Sequence, residues 1–299
     1  MFEQISIIGC GLIGSSIFRA LKKNNLGKII ITFDNDKSVC EIIKKENLTD
    51  QIVSNPKEAV NNADLVLIST PLSGFETAVK SIKDHLKPGS ILTDTSSVKK
   101  GPNEIMKKMK LDNISWIPSH PVAGTEKSGP MAGFSELFRN RWTILSPESN
   151  VKKEDIKKVS DLWESIGSKV KIMSISEHDQ ILSLTSHLPH VIAYNIVKTS
   201  MSNSEKVKND IVRYSAGGLR DFTRIAASDP VMWKDIFIDN SDLIITAIDN
   251  FAKNLAEFKN AIKEKDSKKL LYIFEKSKEF REAIIKAGQD TDKPDFGRK

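Results

Sequence analysis

The chain has 299 residues, enough for two domains at roughly 100–200 residues each. Apolar residues make up 39% and charged residues 28%, near the globular average, which excludes a disordered, collagen-like or low-complexity protein. The excess of 45 basic over 39 acidic side chains, +6, is spread without a run of five like charges and reads as a solvated surface, with no nucleic-acid partner expected.

The N-terminus, Met1-Phe2-Glu3-Gln4, passes straight into an apolar run and carries no basic region or cleavage site of a signal peptide. No apolar stretch approaches the roughly 20 residues that span a bilayer, so no membrane partner is expected. Cys10 and Cys40 are too few for a disulfide scaffold or a four-ligand zinc site. A cytoplasmic protein without a metal is expected.

Strands are expected at Gln4–Ile8, Lys28–Phe33, Asp64–Ser69, Ser90–Thr93, Ser115–Pro118 and Trp142–Leu145, with helices at Leu12–Lys23, Lys37–Glu46 and Gly74–His85. The runs at 29–31 and 65–68 are apolar on both alternating faces, as strands buried between two helix layers must be. This alternation predicts a parallel sheet with right-handed crossovers. The character changes near Pro147. Beyond it only Lys169–Met173 reads as a strand. A long buried helix is expected over Glu177–Ser202, kinked or split by Pro189, and another helix from Pro230 to about Lys265. Along the latter, Ile244, Ile248, Phe251, Leu255, Phe258 and Ile262 form a heptad seam, which suits either an internal core stripe or a subunit interface. The expected class is α/β, with a dinucleotide-binding domain over 1–173 and an all-helical domain over 174–299. The tail 288–299 is polar apart from Phe296 and is expected to be mobile.

Gly9-Cys10-Gly11-Leu12-Ile13-Gly14 follows a strand and opens a helix. The first glycine permits the tight turn, the second lets backbone approach a pyrophosphate, and the third lets helix and strand pack closely. The helix N-terminus presents free N–H groups to the anion. Asp34, twenty positions beyond Gly14 at the end of the next strand, is placed to accept bonds from an adenosine ribose. An acid there repels a 2′-phosphate, so NAD is expected rather than NADP. Leu12, Ile13, Thr70, Pro71 and Ser97 complete the expected cofactor contacts.

Two polar segments follow strand ends where ligands of open α/β sheets bind: 93–99, containing Ser97, and 119–129, containing His120. A neutral imidazole at position 120 could take a hydroxyl proton as hydride leaves the same carbon, and Ser97 could orient its ring. In the helical half, Arg220 and Arg224 stand near Gly217 and Gly218. They suit a carboxylate, or alternatively a surface pairing with Asp221.

Together these residues resemble the prephenate/arogenate (cyclohexadienyl) dehydrogenases of tyrosine biosynthesis over nearly the whole chain. The resemblance rests on the glycine loop with Asp34, Asp94-x-x-Ser97-Val98-Lys99, His120-Pro121-x-Ala123-Gly124, Ser186-His187-Leu188-Pro189-His190, and Arg220-Asp221-x-Thr223-Arg224-Ile225-Ala226 with Met232-Trp233. It implies a Rossmann-type NAD-binding domain, then an all-helical C-terminal dimerisation domain through which two chains form a homodimer. It implies an NAD-dependent oxidative decarboxylation: the C4 hydroxyl loses a proton as C4 passes a hydride to nicotinamide, carbon dioxide leaves from C1, and the ring becomes aromatic. By position, His120 resembles the catalytic acceptor for the C4 hydroxyl, and Ser97 the serine holding it. Arg224 resembles the arginine binding a substrate carboxylate, and His190 the histidine near the substrate side chain. Gly217 and Trp233 resemble pocket residues, and Thr125, Glu126 and Arg220 a gate. A β-hydroxyacid-type dehydrogenase is an alternative, but it would leave the His120 segment without a task. A non-catalytic NAD-sensing protein would need Asp34 and the glycines, but not His120, Ser97 and Arg224 together.

Overall fold

The computed structural model describes residues 2–288, so the expectation for the tail and Phe296 lies outside the described residues. β1 (Gln4–Ile8) leads into α1 (Leu12–Lys23), β2 (Ile29–Phe33) into α2 (Lys37–Lys45), and a two-residue β3 (Gln51–Ile52) into α3 (Pro56–Val60). β4 (Leu65–Ile68), α4 (Leu72–Ile82), β5 (Ile91–Asp94), α5 (Lys100–Met109) and β6 (Ser115–Ile117) follow. The six strands are parallel in the order β3-β2-β1-β4-β5-β6. The order reverses between β1 and β4, and this doubly wound arrangement opens a crevice at the strand C-termini.

Alternation of side chains explains why both sheet faces are covered. Ile5 and Ile7 of β1 and Leu65 and Leu67 of β4 pack on one side with Phe18 and Leu21 of α1. Ile8, Val66 and Ile68 point the other way, into a second cluster with Phe75 and Val79 of α4. β3, α3 and α5 were not expected. The first two are too short to show a period, and lysines at 107, 108 and 110 dilute the apolar stripe of α5.

The run Ser115–Pro118, expected as one strand, ends at Ile117. Pro118 has no N–H to continue a ladder. The chain crosses there to β7 (Ser119–Pro121), so His120 lies within a strand rather than after one. β7 pairs antiparallel with β8 (Trp142–Leu145), and β8 pairs parallel with β9 (Lys169–Ile172), which follows α6 (Lys153–Ser165). The expected parallel sheet is therefore accompanied by a second, three-stranded mixed sheet.

From Ser174 to Lys286 every regular element is helical. α7 (Ile175–Leu182) starts on a capping box of Ser174 with Glu177. A π-helical turn over Ser183–His187 then leads into α8 (Leu188–Met201), with Pro189 in its first turn. The wide turn is how the helix accommodates Pro189, whose ring would otherwise meet a carbonyl one turn back. α9 (Glu205–Arg213), α10 (Gly217–Ile225) and α11 (Pro230–Asp239) follow. The helix expected from Pro230 to Lys265 is two, because α12 (Ser241–Lys263) begins after a break at Asn240. Asn240 is buried, and its side-chain amide is drawn to Asp179 and His187, so local periodicity could not reveal the break.

Contacts divide the chain into a compact unit through Ile244 and a second from Ile245. The second consists of the rest of α12 and α13 (Ser267–Lys286), with Phe258 and Phe274 in ring contact at 5.9 Å. Asp266 begins α13 by accepting a bond from the Lys269 N–H at 3.0 Å. Seam residues Leu255 and Ile262 are 55% and 57% exposed in the single chain, so they do not form an internal core stripe. Among the described residues no helix is long and apolar enough to cross a membrane.

Candidate active site

The glycine loop is shaped by steric necessity. Gly9 has φ of +95°, and a Cβ there would lie 2.5 Å from the Ser69 carbonyl oxygen. A Cβ on Gly14 would lie 2.0 Å from the Gly9 carbonyl oxygen. Gly11 has open space above it, which is room for a ligand against the first turn of α1. Asp34, just past β2, accepts a bond from the Cys10 N–H at 2.7 Å through one oxygen and from the Asp36 N–H at 2.9 Å through the other. The acid thus also pins the loop it was expected to complement.

Beside the loop, at the C-terminal end of the parallel strands, lies a cavity of about 680 Å³. Pockets of this size take small-molecule ligands. Of the expected cofactor residues, Gly11, Leu12, Ile13, Thr70, Pro71 and Ser97 line it. Gly9, Gly14 and Asp34 shape the loop from behind. Thr70 and Ser96 each bury a hydroxyl oxygen with no hydrogen-bond partner among the described residues. Such orphans are rare in folded proteins, and a polar ligand in the cavity would satisfy them. The open cradle at Gly11 and these two hydroxyls fit a dinucleotide.

Opposite the loop, the cavity is lined by His120, Thr125, Glu126, His190, Arg224 and Trp233. The ring of His190 stacks on Trp233, with centroids 3.5 Å apart and planes 21° apart. His190 Nδ1 lies 2.9 Å from the Ser186 carbonyl, so it carries the proton and leaves Nε2 as an acceptor. Arg224, near the end of α10, brings the cavity a guanidinium. Gly217 and Arg220, at and near the start of that helix, do not line the cavity.

His120 is held by an assembly that the sequence did not reveal. At the end of β5, Asp94 accepts bonds from the backbone N–H groups of Ser119 at 2.9 Å and Ser96 at 3.1 Å. Lys99 is fully buried and donates to Asp94 and to the Ser119 carbonyl, both at 2.6 Å. The two sheets are thereby clamped together one residue before His120. Burial pushes the Lys99 ammonium below the usual lysine range, and Asp94 opposes that shift.

The ring itself hydrogen-bonds through Nδ1 to His178 Nε2 at 2.8 Å. The expected bond from Ser97 to this ring does not occur among the described residues, although Ser97 lines the same cavity. His178 Nδ1 lies 2.7 Å from Asp179. Burial above all, and then His178 and Lys99 nearby, hold His120 well below the usual histidine range. It is therefore a neutral acceptor at neutral pH. Asp94 and Lys99 belong to a segment that carries the resemblance, but no role was expected of either, and His178 and Asp179 carry no motif spacing of their own.

Two family models cover the chain: the prephenate dehydrogenase nucleotide-binding domain over residues 17–172, and the prephenate dehydrogenase dimerization domain over residues 174–276. The chain is 38% identical to the cyclohexadienyl dehydrogenase of Zymomonas mobilis, over 95% of this chain and 97% of that one. It is 31% identical to the prephenate dehydrogenase of Bacillus subtilis, over 95% of this chain and 76% of that one. The crystal structure of Aquifex aeolicus prephenate dehydrogenase with hydroxyphenyl propionate and NAD+ matches with a TM-score of 0.88 at 29% identity, over 95% of this chain and 99% of that one. A doubly wound sheet, a glycine cradle facing a buried neutral histidine, and likeness along both halves have one common explanation: the chain belongs to the prephenate dehydrogenase family.

Proposed function

We propose that prephenate, arogenate or both react in the cavity between the glycine loop and His120, in an NAD-dependent oxidative decarboxylation of tyrosine biosynthesis. The observation that carries this reading is His120: a buried neutral imidazole, anchored from behind and lining the same cavity as the cofactor loop. NAD, when bound, supplies the hydride acceptor. Gly11, Leu12 and Ile13 bind it against the N-terminus of α1, and Asp34 meets its ribose. His120 accepts the proton of the C4 hydroxyl as that carbon is oxidised. Arg224 pairs with a substrate carboxylate, and Ser97, on the same cavity wall, meets the ligand. His190 and Trp233 pack at the far end of the substrate, and Thr125 and Glu126 guard its entry. Loss of carbon dioxide and aromatisation follow from the substrate's own energetics, so the protein's task is positioning and polarisation.

The same reading divides the chain after residue 173 into a nucleotide half and a helical half. It makes the heptad face of α12 a homodimer contact, supported by the exposure of Leu255 and Ile262 in the single chain. Two free cysteines, Cys10 and Cys40, support a cytoplasmic site of action.

The test is NADH formation by the purified protein with prephenate and arogenate supplied separately. Turnover of one identifies the substrate, and turnover of both makes the enzyme a cyclohexadienyl dehydrogenase. Absence of turnover with either, in protein that still binds NADH, refutes the proposal. His120→Asn should bind NADH normally and lose turnover by about 10²–10⁴-fold.

A further inference from the structure

The histidine expected to be oriented by Ser97 is instead the outer member of a buried chain. His120 is 6% exposed, His178 0% and Asp179 2%. Successive contacts are 2.8 Å from His120 Nδ1 to His178 Nε2 and 2.7 Å from His178 Nδ1 to Asp179 Oδ1. Asp179 is itself fixed. Its carboxylate also accepts the backbone N–H groups of Lys99 and Lys100, both at 2.9 Å, at the start of α5, which has no side-chain cap of its own. Its carbonyl accepts from the Asn240 amide at 3.1 Å.

Counting donors leaves one consistent assignment. A carboxylate only accepts, so His178 Nδ1 carries a proton. Neutral His178 then has a bare Nε2, which must accept, so His120 Nδ1 carries the proton of that bond. His120 Nε2 is left unprotonated as the nitrogen available to the cavity. Without this chain, neutral imidazole divides between two tautomers, and only one of them can accept a hydroxyl proton through Nε2. The chain also receives the charge that forms: when Nε2 takes the proton, the imidazolium donates along the same bonds toward Asp179. Hydrogen bonding to the second nitrogen is a general way to set the tautomer of a reactive histidine.

We propose that His178 and Asp179 are positioning residues that hold His120 in the tautomer whose Nε2 accepts the substrate hydroxyl proton. The inference rests on the reading of His120 given above. It adds that a histidine and an aspartate 58 and 59 positions away, which do not line the cavity, set the reaction rate.

The test compares His178→Leu, His178→Gln and Asp179→Asn with His120→Asn, by NADH formation at saturating substrate and by NADH fluorescence titration. His178→Leu removes the acceptor for His120 and should lower kcat about 10²–10³-fold, with KM and the NADH Kd within about threefold of the parent. The Gln side chain carries an oxygen acceptor close to the place of Nε2, so His178→Gln should recover at least tenfold of that loss. Asp179→Asn can donate to His178 and reverse every bond in the chain, so it should behave as His178→Leu does. Full kcat in His178→Leu overturns the proposal. Equal losses in the Leu and Gln variants, accompanied by weakened NADH binding, also overturn it, because that is the pattern of a structural role. Full turnover in His120→Asn would instead refute the reading of His120 itself.

Discussion

Lys99→Met tests whether the clamp between the two sheets stabilises the fold. The substitution keeps the length of the side chain and removes only the ammonium. It leaves the Asp94 carboxylate at zero exposure with two backbone N–H donors, from Ser96 and Ser119, and leaves the Ser119 carbonyl without the Lys99 donor. Removing one partner of a buried ion pair costs about 3–5 kcal/mol, most of it the penalty of an uncompensated charge. The two retained N–H bonds place the expected loss at the lower end, about 3 kcal/mol. At roughly 2 °C per kcal/mol for a chain of this size, the melting temperature should fall by about 6 °C. The assay is urea unfolding followed by tryptophan fluorescence and by far-ultraviolet circular dichroism. Adding Asp94→Asn removes the stranded charge, so the double variant should be less destabilised than the sum of the two single ones by about 1–3 kcal/mol. A Lys99→Met protein within about 1 kcal/mol of the parent, or strictly additive losses, would refute this account of the pair.

Gly14→Ala and Gly11→Ala should separate the steric from the binding role of the loop. The first places a methyl against the Gly9 carbonyl and should lower both stability and NADH affinity. The second meets no protein atom within 4 Å and should leave the melting temperature within about 2 °C while weakening NADH binding at least tenfold; an unchanged NADH Kd in Gly11→Ala would remove that glycine from the cofactor site. Arg224→Ala should raise the substrate KM at least tenfold with little change in NADH affinity, since it removes a carboxylate partner at the cavity wall. Acid should destabilise the protein through its buried histidines. Burial pushes His187 down to about 4 and lowers His120 and His178 as well, so each is neutral when folded and protonates near 6.5 when unfolded. Their stabilisation is therefore complete above about pH 6.5 and is lost as the pH falls toward the folded values. His187 alone should account for about 2 kcal/mol between pH 7 and pH 5. His187→Gln should flatten the pH dependence of urea unfolding by that amount, and an unchanged slope would refute the assignment.

What the sequence determined by itself was whatever depends on near neighbours. The glycine spacing from Gly9 to Gly14, the acid at Asp34 and the doubly apolar runs of β1, β2 and β4 are local patterns, each constrained by one turn or one strand. They predicted the nucleotide half and its cofactor loop; His120 stood out at a strand end and Arg224 beside its glycines, whereas His190 and Trp233 came from the family resemblance, and all four line the cavity. Tertiary structure decided what those residues rest on. Asp179 reaches back 80 positions to cap α5, Lys99 crosses 20 to bind Ser119, and Asn240 breaks a helix to bond with Asp179, 61 positions away. In the one-dimensional pattern, nothing assigns His178 and Asp179 of the long helix expected over Glu177–Ser202, or Lys99, to a partner, because polarity alone does not distinguish a charge in water from one buried beside a partner. Only folding brings the partner, and the cost of burying an unpaired charge is what requires these groups to meet.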